Sequence, residues 1–207
     1  MRATALLGTG AVLMLGVAAC GSGRHAASLR QMPLASFVLK VSEAPPGTRL
    51  VPQLSGPGTL ERQGLTKQAL QELGSFGFES DYGRQFYATN PRKGLVSVGS
   101  IAARFRNPQG ASKGLRVLEQ ELRKVHPLAK PVSVSALGDE AWAYGGRFFS
   151  NAPATYRSFY FAWRKDNLIF TVAMSGPKSS VTAHATRALA DGIAGRAREN
   201  IKRSTAA

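Results

Sequence analysis

The chain has 207 residues, a single cysteine, and 27 Lys and Arg against 12 Asp and Glu, a formal net charge of +15 at pH 7. One cysteine excludes an intramolecular disulfide framework and a multi-cysteine metal site, and a chain of this length can bury a core without such staples. The charge selects anionic neighbours, but the basic residues run from Arg24 to Arg203 without a block of five or six, so it names a class of partner and no member of it.

Residues 1–19 have the three-part layout of a secretory signal: Met1 and Arg2, then an apolar run from Ala5 to Leu15, then Gly16-Val17-Ala18-Ala19 before the cysteine. The run is shorter than the roughly 20 apolar residues that a spanning helix needs, and Gly8 and Gly10 interrupt it. Val17-Ala18-Ala19-Cys20 resembles the lipobox of bacterial lipoproteins. The resemblance implies cleavage between Ala19 and Cys20, a diacylglyceryl group on the Cys20 thiol, and a lipid-anchored protein on the extracytoplasmic face of the cell membrane. One cysteine is then enough, because two acyl chains anchor stably where one binds marginally.

Residues 20–35 are rich in Gly, Ser and Ala and read as the lipidated cysteine and a flexible tether, with a reach of about 20 Å. Arg24 and Arg30 in it are placed to rest on anionic lipid.

Residues 36–207 form the expected domain. Phe37–Val41 and Arg49–Leu54 flank the turn Ala44-Pro45-Pro46-Gly47 and predict two extended segments. Leu65, Ala69, Leu70 and Leu73 predict a helix over Thr59–Leu73. Strands are expected over Asp81–Ala88 and Leu95–Arg106, with a bulge near Gly99 because Val96, Val98 and Ile101 do not keep one parity. Asn107-Pro108 is a strong helix start, and Ala111, Leu115, Leu118, Leu122 and Val125 follow the spacing of one buried face up to His126-Pro127. Strands are predicted over Val132–Leu137, Ala141–Phe149, Tyr156–Trp163 and Leu168–Met174, the last two joined as a hairpin at Arg164–Asn167. A last helix over Ser179–Lys202 carries Val181, Ala185, Leu189, Ile193, Ala197 and Ile201 in a stripe. The expected fold class is α+β: one domain, a largely antiparallel sheet packed by about three helices.

Leu137-Gly138-Asp139-Glu140-Ala141, with Trp142 and Tyr144, resembles segments of actinobacterial envelope proteins and of extracellular sensor-type domains of receptor kinases. Asp139, Glu140, Trp142 and Tyr144 are the candidate ligand or interaction residues, two carboxylates beside two aromatics that suit a cation or a sugar. The competing structural reading makes Gly138-Asp139 a turn and lets Glu140, Trp142 and Tyr144 alternate onto one strand face. The aromatic and basic run Tyr156–Arg164 resembles a stacking platform, but its aromatics divide between the two faces of a strand, and no nucleic-acid partner is expected of an exported chain.

His25, His126 and His184 stand in no catalytic or metal-binding pattern, and no phosphate-binding loop, dinucleotide fingerprint or hydrolase elbow is present. No catalytic residue, metal or cofactor is therefore expected. The sequence points to a lipid-anchored, non-catalytic binding or accessory module of the cell envelope, with membrane lipid held through Cys20 and an anionic envelope polymer or another envelope protein as partner. The alternatives are a sensor-like domain for a small apolar or amphipathic ligand and, behind it, an envelope hydrolase.

Overall fold

The computed structural model describes residues 32–90, 97–148 and 155–206, so the signal-like segment, the lipobox with Ala19 and Cys20, and most of the tether lie outside the described residues. Among these residues are eight strands in one antiparallel sheet: β1 (Thr48–Leu50), β2 (Gly56–Pro57), β3 (Phe78–Ala88), β4 (Ser97–Phe105), β5 (Lys130–Pro131), β6 (Glu140–Gly146), β7 (Tyr156–Lys165) and β8 (Leu168–Pro177). Their order is β1-β3-β4-β8-β7-β6-β5, with β2 also on β3. The helices are α1 (Thr59–Arg62), α2 (Lys67–Ser75), α3 (Pro108–Val125) and α4 (Ala183–Ala206). The α+β class expected from the sequence is the one observed, with helices on both faces of the sheet.

Strand parity divides the core in two. On one face Val98, Ala102, Phe161, Trp163, Phe170 and Val172 pack under α4, which contributes Ala190, Ile193, Ala194 and Ala197. On the other, Ile101, Ala103, Phe105, Ala162 and Ile169 pack under α2 and α3, which contribute Leu73, Ala111, Leu115 and Leu118. This explains the mixed phase of β4 without a bulge at Gly99: pairing with β3 runs unbroken through Gln85↔Gly99, and the irregularity lies between Phe78 and Ser80. A strand covered on both faces has apolar residues at both parities.

Other departures from the sequence expectation have local causes. The helix expected over Thr59–Leu73 is two helices, because Gly64 takes φ +91° and Thr66 starts α2 afresh, its hydroxyl accepting from Ala69 N at 3.1 Å. Residues 132–137 form no strand; Val132 N still bonds Ala143 O at 2.9 Å, but Ser135 O is taken by Arg187 of α4 at 2.7 Å. Phe37–Val41 is not a strand either. It crosses the sheet face instead of joining an edge, so its backbone groups find side chains: Leu39 N bonds Ser100 Oγ at 2.8 Å, Leu39 O accepts from Arg84 at 2.9 Å and Val38 O from Arg196 at 3.1 Å. Buried backbone needs such partners.

The β7–β8 hairpin turns at Asp166-Asn167 between the pair Lys165↔Leu168. Asn167 is buried and ties the turn to the end of β4, donating from Nδ2 to Phe105 O at 2.7 Å while its carbonyl accepts from Phe105 N at 2.9 Å. The start of α3 is pinned in the same way: Asn107 Oδ1 accepts from Gly110 N at 2.8 Å, and a Cβ on Gly110 would stand 2.0 Å from Phe76 O.

Glycine-to-alanine changes therefore have opposite signs in the two long helices. Gly110→Ala is expected to lower stability by about 1–3 kcal/mol, because a backbone carbonyl must move. Gly192→Ala, with nothing within 4 Å of the added methyl, is expected to raise it by up to about 1 kcal/mol. Urea denaturation of the two variants checks both.

Candidate functional site

Three of the four residues singled out in the sequence, Glu140, Trp142 and Tyr144, come together at the joint between β6 and α3. Glu140 Oε2 accepts from Ser112 Oγ at 2.8 Å, Trp142 Nε1 donates to Leu115 O at 3.1 Å and Tyr144 OH donates to Glu119 Oε1 at 2.7 Å. The alternation along β6 thus meets successive turns of α3. Asp139 locks the β7–β8 turn: it accepts from Lys165 Nζ at 2.8 Å and Asp166 N at 2.9 Å, and lies 3.0 Å from Arg164 Nη1. The aromatics of β7 divide as their parity requires, Phe161 and Trp163 under α4 and Tyr160 toward α3, stacked on Trp142 at 5.5 Å and 12°.

Asp81 is the one fully committed buried acid of β3. Its carboxylate receives Thr59 N at 3.1 Å and Leu60 N at 2.6 Å, capping α1 from a neighbouring strand. Burial pushes its pKa up, and the N–H groups of Leu60, Gly58 and Thr59 with the Arg62 charge oppose the rise. Both side-chain oxygens are occupied by the fold.

Charge is distributed unevenly between the two ends of the sheet. The described chain begins at Met32, whose carbonyl accepts from Arg104, and Arg104 pairs with Leu168 beside the β7–β8 turn. This turn end holds Glu79, Asp139, Glu140 and Asp166 beside exposed Arg106 and Arg198, and Asp139 and Glu140 neutralise Arg164 and Lys165. The opposite end holds the last turn of α3, β5 and the segments around Gly146 and Pro177. Exposed Arg49, Arg123, Lys124, Lys130, Arg147 and Lys178 collect there against Glu119 and Glu121.

Two cavities flank the last turns of α3 at that basic end, on opposite faces of the helix. One is a crevice of about 180 Å³ between α1, α2 and α3, lined by Leu60, Leu65, Ile101, Leu118, Leu122 and Tyr160. The other is an open cleft of about 590 Å³ lined by Gln120, Arg123, Lys124, His126, Pro131 and Tyr144. His126 lines both. Its ring packs on Phe148 at 4.7 Å, and burial lowers its pKa against a bond to the Phe148 backbone. Glu121 in the crevice wall is engaged by Lys124 Nζ at 2.6 Å and Thr66 Oγ1 at 3.2 Å. Val125, expected from its spacing to be buried, is 61 % exposed at the end of α3, and Leu128 is 48 % exposed beside it.

Sequence reasoning placed His126 at a helix end and missed this site. The available signal was apolar Val125 and Leu128 on either side of His126-Pro127, directly after Arg123-Lys124. Among the described residues no three His, Cys, Asp or Glu side chains gather as a metal set, and no helix is long and apolar enough to cross a membrane.

No family model matches the chain, and no curated protein matches it. Among solved structures it is similar to the extracellular domain of PknH from Mycobacterium tuberculosis, with a TM-score of 0.54 and 10 % identity over 84 % of this chain and 95 % of that one. At that identity the likeness shows a shared fold.

Asp139 supplies a pH prediction. Burial raises its pKa, but Lys165, the Asp166 N–H and Arg164 outweigh burial and hold it below the ordinary value of 3.8. A depressed folded pKa adds stability that is present above the unfolded pKa and is lost as pH falls through the folded one. Asp139→Asn is expected to cost about 1–2 kcal/mol at pH 7, and the gap to the parent protein should close as pH falls below the carboxylate range. Urea midpoints measured from pH 7 downward test this.

Proposed function

We propose that this chain is an extracytoplasmic, lipid-anchored binding or accessory module of the cell envelope, and that the basic end of its sheet is the end that meets an anionic envelope component. The observation that carries the reading is the charge asymmetry: Arg123, Lys124, Lys130, Arg147 and Lys178 gather at one end, while the described chain starts at the other, where Met32 meets Arg104. With Cys20 acylated, a flexible tether over residues 20–31 would reach about 20 Å. The turn end then lies nearest the bilayer and the basic end faces outward. An anionic component of the wall or of the outer surroundings suits this orientation better than the headgroups of the anchoring membrane. The likeness in fold to an extracellular domain agrees with an exported module.

The reading is of a module without catalysis of its own. His126 shares the crevice with Glu121, but that carboxylate is already held by Lys124 and Thr66, and His184 stands exposed at the start of α4. Neither stands in a nucleophile–base pattern in the sequence. A sensor-like role finds support in the crevice, although its volume of about 180 Å³ is below the roughly 300–1,000 Å³ of most small-molecule sites.

Cys20→Ala should release the protein from the membrane fraction and abolish the processing shift; persistence in the membrane fraction without that shift rules out the anchor. The soluble domain should be retained on anionic polymer or anionic vesicles at low salt, and retention should weaken as ionic strength rises. Charge reversal at Arg123 and Lys130 should weaken it further. Salt-independent retention would remove the charge-based reading.

A further inference from the structure

We propose that the crevice between α1, α2 and α3 is a binding site for a compact, neutral, apolar molecule about the size of one substituted ring. The proposal rests on the sensor-like reading of the crevice and names the chemistry it accepts; it is independent of the charge at the basic end. Leu60, Leu65, Ile101, Leu118 and Leu122 supply the walls, and Tyr160 lines the crevice with them.

Size limits the occupant. At about 180 Å³ the crevice is too small for most drug-sized ligands, but an engineered protein cavity of about 150 Å³ walled by apolar side chains takes benzene. Charge limits it further. Among the described residues that line the crevice, Glu121 is the carboxylate and none is a lysine or arginine. Glu121 is already held by Lys124 and Thr66, so neither an anion nor a cation finds an unmatched partner there. The basic side chains Arg123 and Lys124 line the cleft on the other face of α3.

Polar bonds at the edges hold the walls in place. Gly64, at φ +91°, turns the chain between Leu60 and Leu65. Leu60 is fixed through its N–H to Asp81 at 2.6 Å, and Thr66 Oγ1 donates to Glu121 Oε2 at 3.2 Å, which ties the start of α2 to α3. Walls fixed in this way keep apolar surface against water while the site is empty. An apolar occupant removes that surface from water, and little ordering of the protein remains to offset the gain. Tyr160 stacks on Trp142 at 5.5 Å, which makes Trp142 a reporter of occupancy. The second tryptophan, Trp163, is buried under α4 on the opposite face of the sheet.

The test uses the full chain carrying Cys20→Ala, so that neither an acyl chain nor detergent competes for apolar ligands. It is titrated with benzene, toluene, ethylbenzene and propylbenzene, with biphenyl and anthracene as oversized compounds and benzoate and benzylammonium as charged ones. Calorimetry and tryptophan emission are the readouts. Affinity is expected to rise about fourfold per added methylene and to fall for the oversized compounds, and both charged compounds should bind about tenfold or more weaker than toluene. Leu65→Phe, which fills the crevice, should weaken toluene about tenfold or more, whereas Leu122→Ala should enlarge it and admit biphenyl. Both side chains are half-buried, thermal melting checks that each variant folds, and the ligand series on the parent chain decides the proposal without either. Affinity that keeps rising through biphenyl and anthracene, or that Leu65→Phe leaves unchanged, marks adsorption elsewhere and overturns the proposal. Benzoate or benzylammonium bound more tightly than toluene and lost in Leu65→Phe also overturns it, and leaves a sensor-like site of different chemistry standing. No binding of any compound removes both readings of the crevice, while salt-sensitive retention on an anionic polymer still decides the basic end on its own.

Discussion

β4 and β8 lie side by side in the middle of the sheet, and almost every side chain on them is buried whichever way it points. A strand pair with no polar face cannot sit at a surface, so both faces of the sheet must be covered. That requirement explains why α4 and the segment Leu34–Leu39 close one side while α2 and α3 close the other. It also explains why Leu34–Leu39, which has no strand partner, is held by Ser100, Arg84 and Arg196 side chains: a segment spread across a buried face must find its hydrogen bonds from below and above.

The same requirement shapes the ends. At the turn end, Asp139, Glu140, Arg164, Lys165 and Asn167 neutralise and hydrogen-bond one another around the β7–β8 hairpin, so the polar groups there are spent on the fold. At the other end, α3 outlasts the sheet cover beneath it. Its last turn stands at the border of the layers, which leaves Val125 exposed, opens the crevice toward α1 and α2, and sets Arg123 and Lys124 beside Glu119 and Glu121. The proposed function rests on this asymmetry: carboxylates and basic groups pair around the hairpin, while exposed basic side chains outnumber acidic ones at the other end.

Glu140, Trp142 and Tyr144 show how a distinctive local sequence arises from packing. Their spacing of two matches the strand repeat, and Ser112, Leu115 and Glu119 on α3 are spaced three and four, so each β6 side chain meets a new helical turn. The outcome agrees with the structural reading of the alternation. Asp139, next to them in sequence, belongs to a different device, the hairpin lock, because it precedes the strand.

The sequence by itself determined the α+β class, the start of α3 at Asn107-Pro108, the β7–β8 hairpin and the alternation of β6, because each depends on interactions within a few residues or on a simple period. It also carries the lipobox-like Val17–Cys20, which lies outside the described residues. Tertiary structure alone decided that β4 is unbulged and covered twice, that residues 37–41 cross the sheet rather than join it, and that Val125 leaves the core. Those outcomes turn on which surface comes to lie over which, a relation between residues as far apart as Leu39 and Ser100. The crevice and the cleft flanking the end of α3 belong to the same class: Leu60, Ile101, Arg123 and Tyr144 share no local pattern, and only the closing of the layers sets an apolar crevice on one face of the helix and a basic cleft on the other.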